Sequence, residues 1–226
     1  MDDVRELAPQ DRARLWLVRT DRRPEDDDGR GAGVLDEGEL RRAAGFRFAR
    51  HRARYVAAHL ALRGILGERL GCAPGDVRFV REPCPECDGP HGRPAVADTP
   101  DLHFSLSHSG DLALIALAPA PVGADIEELP TAEVARDLAV VLHPRERAEL
   151  NGLDALDAPS EHHVAVGRAW VRKEAYLKGL GTGLARAADL DYVGTLPDAP
   201  GAPDGWAVRD VPVPDGYLAA VAVAPG

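Results

Sequence analysis

The sequence predicts an α+β protein made of two similar halves, residues 1–118 and 119–226. Three observations predict it. Strand-like and helix-like segments are interleaved along 226 residues, a length that suits one to two domains with a proper core. Two stretches echo each other: Gly110-DLALIALAPAP and Gly216-YLAAVAVAPG each run from a turn glycine through a small apolar strand to a proline. Hydrophobic residues at 45% and charged residues at 28% are ordinary globular values, which exclude wholesale disorder.

The elements follow in order. Arg14–Arg19 (RLWLVR) reads as the first strand, and the charged, glycine-containing stretch 20–33 as a loop. Leu35–Phe46 and Arg50–Leu70 have helical spacing and stop near Gly45 and Gly71. Asp76–Arg81, Leu102–Ser107, Leu112–Ala118 and Val122–Glu127 read as strands. Helical spacing returns at Thr131–Leu142, Pro144–Leu150 and Glu161–Leu180. Asp189–Thr195, Trp206–Arg209 and Tyr217–Ala224 then read as strands between Pro/Gly turns. The halves join near Pro119–Pro121.

Charge and composition narrow the function classes. With 27 Lys+Arg against 37 Asp+Glu the formal net charge is −10, which argues against a general nucleic-acid binder. No apolar run approaches the roughly 20 residues of a membrane helix. The N-terminus, MDDVRELAPQDRAR, carries acids where a secretory signal carries a basic end and an apolar core. A cytoplasmic protein is expected. Three cysteines do not make a disulfide framework. Lysine occurs only at 173 and 178, every other basic side chain being arginine. In so arginine-biased a chain, two neighbouring lysines invite a chemical explanation, with chance as the alternative.

Five segments carry candidate chemistry. In Val122-GADIEEL a strand would put Asp125 and Glu127 on one face and Val122, Ala124 and Ile126 on the other. Paired carboxylates repel unless a proton or cation compensates them, and Mg²⁺ does this well; the plainer reading is a strand end with solvated acids. In Trp170-VRKEAYLK, Glu174 and Lys178 lie one helical turn apart. Glu174 could supply a third acid, with Lys173 and Lys178 flanking an anionic substrate; the plainer reading is a surface ion pair. Ser107-His108-Ser109-Gly110 places hydroxyls, an imidazole and backbone amides in one turn suited to phosphate, more so with His108 protonated. Arg41, Arg42, Arg47, Arg50, Arg52, Arg54 and Arg63 cluster on the early helices, where a solvated face is the default and a few forks would suit phosphate. Cys84-x-x-Cys87 with His91 is half of a zinc site. Cys72 and His103 are only guesses for a further ligand, so no stoichiometric zinc is expected.

FSLSHSG (104–110), GADIE (123–127) and WVRKEAYLK (170–178), with HGRP (91–94) ahead of them, resemble in order and separation the Sfp-type 4′-phosphopantetheinyl transferases. The resemblance runs from about Phe46 to Gly183. It implies an enzyme that moves the phosphopantetheine arm of coenzyme A onto a serine of an acyl or peptidyl carrier protein, releasing 3′,5′-ADP, with Mg²⁺ or alternatively Mn²⁺. It implies two pseudo-symmetric α+β halves with the site between them, and a monomer at this length. By the resemblance, Asp125, Glu127 and Glu174 hold the metal, and Glu174 is also a candidate general base. Lys178 sits near the transferred phosphate, His108 at the coenzyme's pyrophosphate and Arg93 near the nucleotide. Arg54, with Arg42 or Arg47, falls where basic residues meet the 3′-phosphate. The stretch Val141-LHPRE departs from the paired aromatics of many relatives, which puts Glu146 in doubt. The carrier could belong to fatty-acid, polyketide or peptide synthesis. A Mg²⁺-dependent phosphohydrolase and a non-catalytic interaction module are the alternatives.

Overall fold

The protein, as a computed structural model, is described over residues 3–21, 33–154, 159–197 and 199–226. Most of the loop expected at 20–33 lies outside the described residues. The first half holds β1 (Val4–Glu6), β2 (Arg14–Arg19), α1 (Glu37–Ala44), α2 (Ala49–Leu70), β3 (Phe79–Arg81), β4 (Pro94–Val96), β5 (His103–Ser109) and β6 (Leu112–Ala118). The second holds β7 (Val122–Glu128), α3 (Ala132–Ala139), α4 (Pro144–Asp154), α5 (Pro159–Leu180), β8 (Ala207–Asp210) and β9 (Tyr217–Val223). Among the described residues no helix is long and apolar enough to cross a membrane.

Local chemistry sets the helix ends. Asp36 and Glu39 form a reciprocal cap at the start of α1, each side chain accepting the other's backbone N–H at 2.8 Å. α2 stops at Gly71, whose φ of 70° is left-handed.

The two halves share one plan. A strand leads to a 22-residue helix and then to an antiparallel hairpin whose last strand returns to the middle of the sheet. The orders are β1-β2-β6-β5 and β7-β9-β8, all neighbours antiparallel. The echoed segments are thus the central strands β6 and β9.

Alternating side chains build four layers. Leu15, Leu17, Leu112, Leu114 and Ala116 face Val122, Ala124, Ile126, Val221 and Val223, packing the two sheets together. The outer face of the first sheet, with Trp16, Val18, Ala113 and Ile115, is covered by Ala58, Leu62 and Leu66 of α2. The outer face of the second, with Val208, Ala220 and Ala222, is covered by Val171, Ala175 and Leu177 of α5. α3 and α4 pack on the start of α5 through Ala135, Leu142, Leu150 and Val166.

Two expectations are corrected, and two strands had no expectation. The short strands β1 and β4 carry no alternation long enough to read. Of Asp76–Arg81 only Phe79–Arg81 is strand, because a 3-10 turn takes Pro74–Asp76. Asp189–Thr195 forms no strand, because buried side chains take its backbone groups. The Val193 and Gly194 N–H groups donate to Glu146 at 2.7 and 3.3 Å, and that of Thr195 to Glu149 at 3.1 Å. Lys173 takes the Asp191 carbonyl at 2.6 Å, and Arg172 those of Gly194 and Leu196 at 3.0 Å each.

Candidate active site

The edge strands of the two sheets, β5 and β7, meet along a row of serines. Ser105 Oγ accepts the Ala124 N–H at 3.0 Å, and Ser109 Oγ accepts the Glu128 N–H at 3.2 Å. The same face of β5 points Ser107 at Asp125 and Ser109 at Glu127, the hydroxyls donating at 2.7 and 2.8 Å. A sheet edge thereby satisfies its neighbour and aims two carboxylates at once.

α5 is drawn against β7 by Gly123. A Cβ there would lie 1.9 Å from the Ala175 carbonyl oxygen and 2.4 Å from the Gly179 nitrogen, so any other residue would push the helix away. This approach brings Lys178 to Asp125 Oδ1 at 2.5 Å and to Ser107 Oγ at 3.0 Å. Asp125 is 1% exposed, and its Oδ2 has no hydrogen-bond partner. Burial pushes the Glu127 carboxyl above its usual range despite the Ser109 bond, and Asp125 adds to the shift. Burial raises Glu174 as well, with Asp125 and then Glu127 as like-charge neighbours and Lys178 opposing. Three acids that repel one another beside an unpartnered oxygen suit a hard divalent cation.

A cleft of about 560 Å³ opens next to this seam, lined among others by Tyr55, His59, Arg81, Arg93, His108 and Lys178. Arg93 donates to the Gly179 carbonyl at 2.8 Å and lies 2.7 Å from Glu82, tying the β3–β4 hairpin to the end of α5. The cleft therefore takes walls from both halves. It joins donors for an anion to a carboxylate set able to take a cation, an arrangement for polyphosphate chemistry.

A family model for the 4′-phosphopantetheinyl transferase superfamily matches residues 121–205, from the start of β7 to the turn before β8. The chain is also 35% identical over 224 residues to the 4′-phosphopantetheinyl transferase HetI of Nostoc sp., covering 95% of this chain and 88% of that one. The chain belongs to the 4′-phosphopantetheinyl transferase superfamily. Further relatives of this transferase are psf-1 of Bacillus pumilus, 34% identical over 141 residues, and Sfp of Bacillus subtilis, 26% identical over 140. Those alignments cover 62% and 60% of this chain and 55% of each relative.

The transferase brings Asp125, Glu127, Glu174, Lys178, His108 and Arg93 to the seam and cleft. Four other expected positions are corrected. Lys173 is 1% exposed and ion-paired at 3.0 Å with Glu146, itself fully buried, so its ammonium is consumed inside the fold and flanks no substrate. Glu146 is thereby a structural acid. Ser107 is engaged with Asp125 and Lys178 and does not line the cleft. Arg42 and Arg47 are exposed over the rings of Phe46 and Phe48, at 5.7 and 5.3 Å, and do not line the cleft. Arg54 is ion-paired with Asp111, and its charge reaches His108. Burial, with Lys178 and Arg54, holds His108 below its ordinary value, which disfavours the protonated form that would add charge at a phosphate. Sequence reasoning missed Tyr55 and His59, whose rings stack at 3.9 Å on the cleft wall. Their spacing of one helical turn, in line with Leu62 and Leu66, was the available signal.

Proposed function

We propose that this transferase moves the 4′-phosphopantetheine arm of coenzyme A onto a serine of an apo acyl or peptidyl carrier protein and releases 3′,5′-ADP. The observation that carries the reading is Asp125. One of its oxygens is held by Ser107 and Lys178, the other is buried without a partner, two further acids stand close enough to repel it, and Lys178 links it to a cleft lined by both halves. Leaving a buried carboxylate oxygen unpaired is costly unless a cation or proton completes it. Mg²⁺, or Mn²⁺, fits: the residues that would hold it are Asp125, Glu127 and Glu174. Mg²⁺ needs only a few carboxylates, because it keeps waters and substrate oxygens in its shell. When bound, the ion would neutralise charge on the pyrophosphate and on the departing phosphate.

The chain's own groups do the rest. Arg93 and His108 donate to the coenzyme's phosphates, and Arg54, whose charge reaches His108, is the candidate for the 3′-phosphate. The carrier serine oxygen forms a bond to the phosphorus nearer pantetheine, the pyrophosphate P–O bond breaks, and 3′,5′-ADP leaves. Glu174, whose burial raises its affinity for a proton, takes the serine proton. Lys178 sets its compact charge against the leaving phosphate. We infer a division at residues 118 and 119, between the two sheets, and a monomer acting in the cytoplasm.

Incubation with coenzyme A, Mg²⁺ and an apo carrier tests the reading. Transfer adds the mass of phosphopantetheine to the carrier. Loss of coenzyme A without that mass makes the protein a phosphohydrolase, and neither change makes it a non-catalytic module.

A further inference from the structure

The segment between β3 and β4 does something its sequence did not promise. Cys84 Sγ, Cys87 Sγ and a ring nitrogen of His91 lie within 4.8 Å of one another, Cys84 fully buried and the other two exposed. Cys87 Sγ and His91 Nε2 are 3.0 Å apart. Two thiolates at ~2.3 Å and an imidazole at ~2.0 Å from a tetrahedral ion sit under about 4 Å from one another, so small side-chain rotations close this set.

We propose that Cys84, Cys87 and His91 bind one Zn²⁺, and that the ion braces the loop that carries Arg93 into the cleft. The donors choose the metal, because two thiolates and an imidazole are soft ligands that suit Zn²⁺ and not Mg²⁺ or Ca²⁺. Binding releases the thiol protons, and the paired thiolate charge matches the ion. The fourth tetrahedral position opens to solvent beside Cys87 and His91 and takes water. Neither Cys72 nor His103 belongs to the cluster; the sequence expectation of no zinc counted ligands and missed their convergence.

The backbone is shaped around the three donors. The Cys84 carbonyl accepts the N–H groups of Cys87 and Asp88 at 3.3 and 2.8 Å, while the Cys84 N–H donates to Gly89 at 2.8 Å. Asp88 is left-handed at φ 55°. A Cβ on Gly89 would lie 2.9 Å from the His91 ring and 3.2 Å from Cys87 Sγ, so the chain passes directly against two of the ligands and a side chain there would displace them. The strands that flank this loop have three residues each, and a two-stranded hairpin of that size is marginal without support. The loop nevertheless holds working contacts. Arg93 reaches Gly179, Arg81 donates to the Gly92 carbonyl at 2.6 Å, and Glu86 pairs with Arg186 at 3.0 Å.

The metal assignment stands apart from the reading of the cleft; the bracing role rests on that reading. Untagged protein purified without chelators is expected to carry one zinc per chain by elemental mass spectrometry. Cys87→Ser and His91→Ala are expected to lose it, and Cys72→Ser, at an exposed thiol outside the cluster, to keep it. Cobalt substitution of the unmutated protein avoids variants that fail to fold, and is expected to give a thiolate charge-transfer band with tetrahedral d–d bands. Protein that takes up neither zinc nor cobalt, or that shows a Cys84–Cys87 disulfide by intact mass, overturns the site. Removing the zinc is expected to weaken coenzyme A binding about tenfold or more in calorimetry, and unchanged affinity overturns the bracing role. Metal content is read without any transfer assay, so its failure and that of the activity are told apart.

Discussion

Lys173 and Lys178 share one helix and little else. Lys173 is sealed in against Glu146 and the Asp191 carbonyl, and burial holds its proton affinity below the usual lysine range despite that partner. Lys178 sits between Asp125 Oδ1 and Ser107 Oγ at the cleft. Lys173→Met is therefore expected to cost about 3–5 kcal/mol in urea unfolding, because it strands a buried carboxylate, and to leave kcat of the folded fraction unchanged. Lys178→Arg is expected to do the reverse: stability within about 1 kcal/mol, kcat down roughly tenfold to a hundredfold, and KM for coenzyme A little altered. A guanidinium is broader than the ammonium that fits between a carboxylate and a hydroxyl, so a near-normal kcat would return Lys178 to a spectator's place. Asp125→Asn separates function from stability in another way. It removes the charge that repels Glu127 and Glu174 and also the ion-pair partner of Lys178, so these opposing changes should leave Tm little altered, while activity falls by about a hundredfold or more and Mg²⁺ no longer raises Tm. A variant that Mg²⁺ still stabilises fully would take Asp125 out of the metal set.

At the scale of elements, the strand–helix contact between β7 and α5 is what assembles the three acids with Lys178. Gly123→Ala should force that contact open, costing about 1–3 kcal/mol in stability and more in kcat than in KM, since it displaces Glu174 and Lys178 together. A variant with normal thermal stability and turnover would show that α5 tolerates the shift. Much of this contact was legible, because Val122, Ala124 and Ile126 alternate with Asp125 and Glu127, and α5 carries its apolar and charged groups at helical spacing. What could not be read were partners set by long-range burial. The segment 189–195 has strand-like composition, but Glu146, Arg172 and Lys173 claim its backbone from elements the chain reaches only after folding. Lys173 looked like a surface cation for the same reason. The three ligands near Cys84 converge through a left-handed turn at Asp88, which no spacing rule on cysteines discloses.

Across the whole molecule, burial sets opposite pH dependences in different places. His59, His103 and His108 all lie in the first half with proton affinities lowered chiefly by burial, His59 down to about 4. Glu127 and Glu174 at the seam are raised. An imidazole kept neutral in the fold binds fewer protons than it does unfolded. Its contribution is therefore fully present above the ordinary value near 6.5 and is lost as pH falls toward the folded value. The raised carboxyls run the other way, because the fold holds their protons more tightly, so acidification relieves their cost. The net slope mixes both signs, and a variant must isolate one of them. His59→Phe suits this, since the ring that replaces the imidazole can keep the stack on Tyr55 and cannot take up a proton. Between pH 7.5 and 5 the unmodified protein is expected to lose on the order of 2 kcal/mol more unfolding free energy than His59→Phe. Above pH 7.5 the two urea-derived curves should run parallel. If they also run parallel down to pH 5, His59 is not held neutral by the fold, and the acid sensitivity belongs to His103, His108 or the carboxylates.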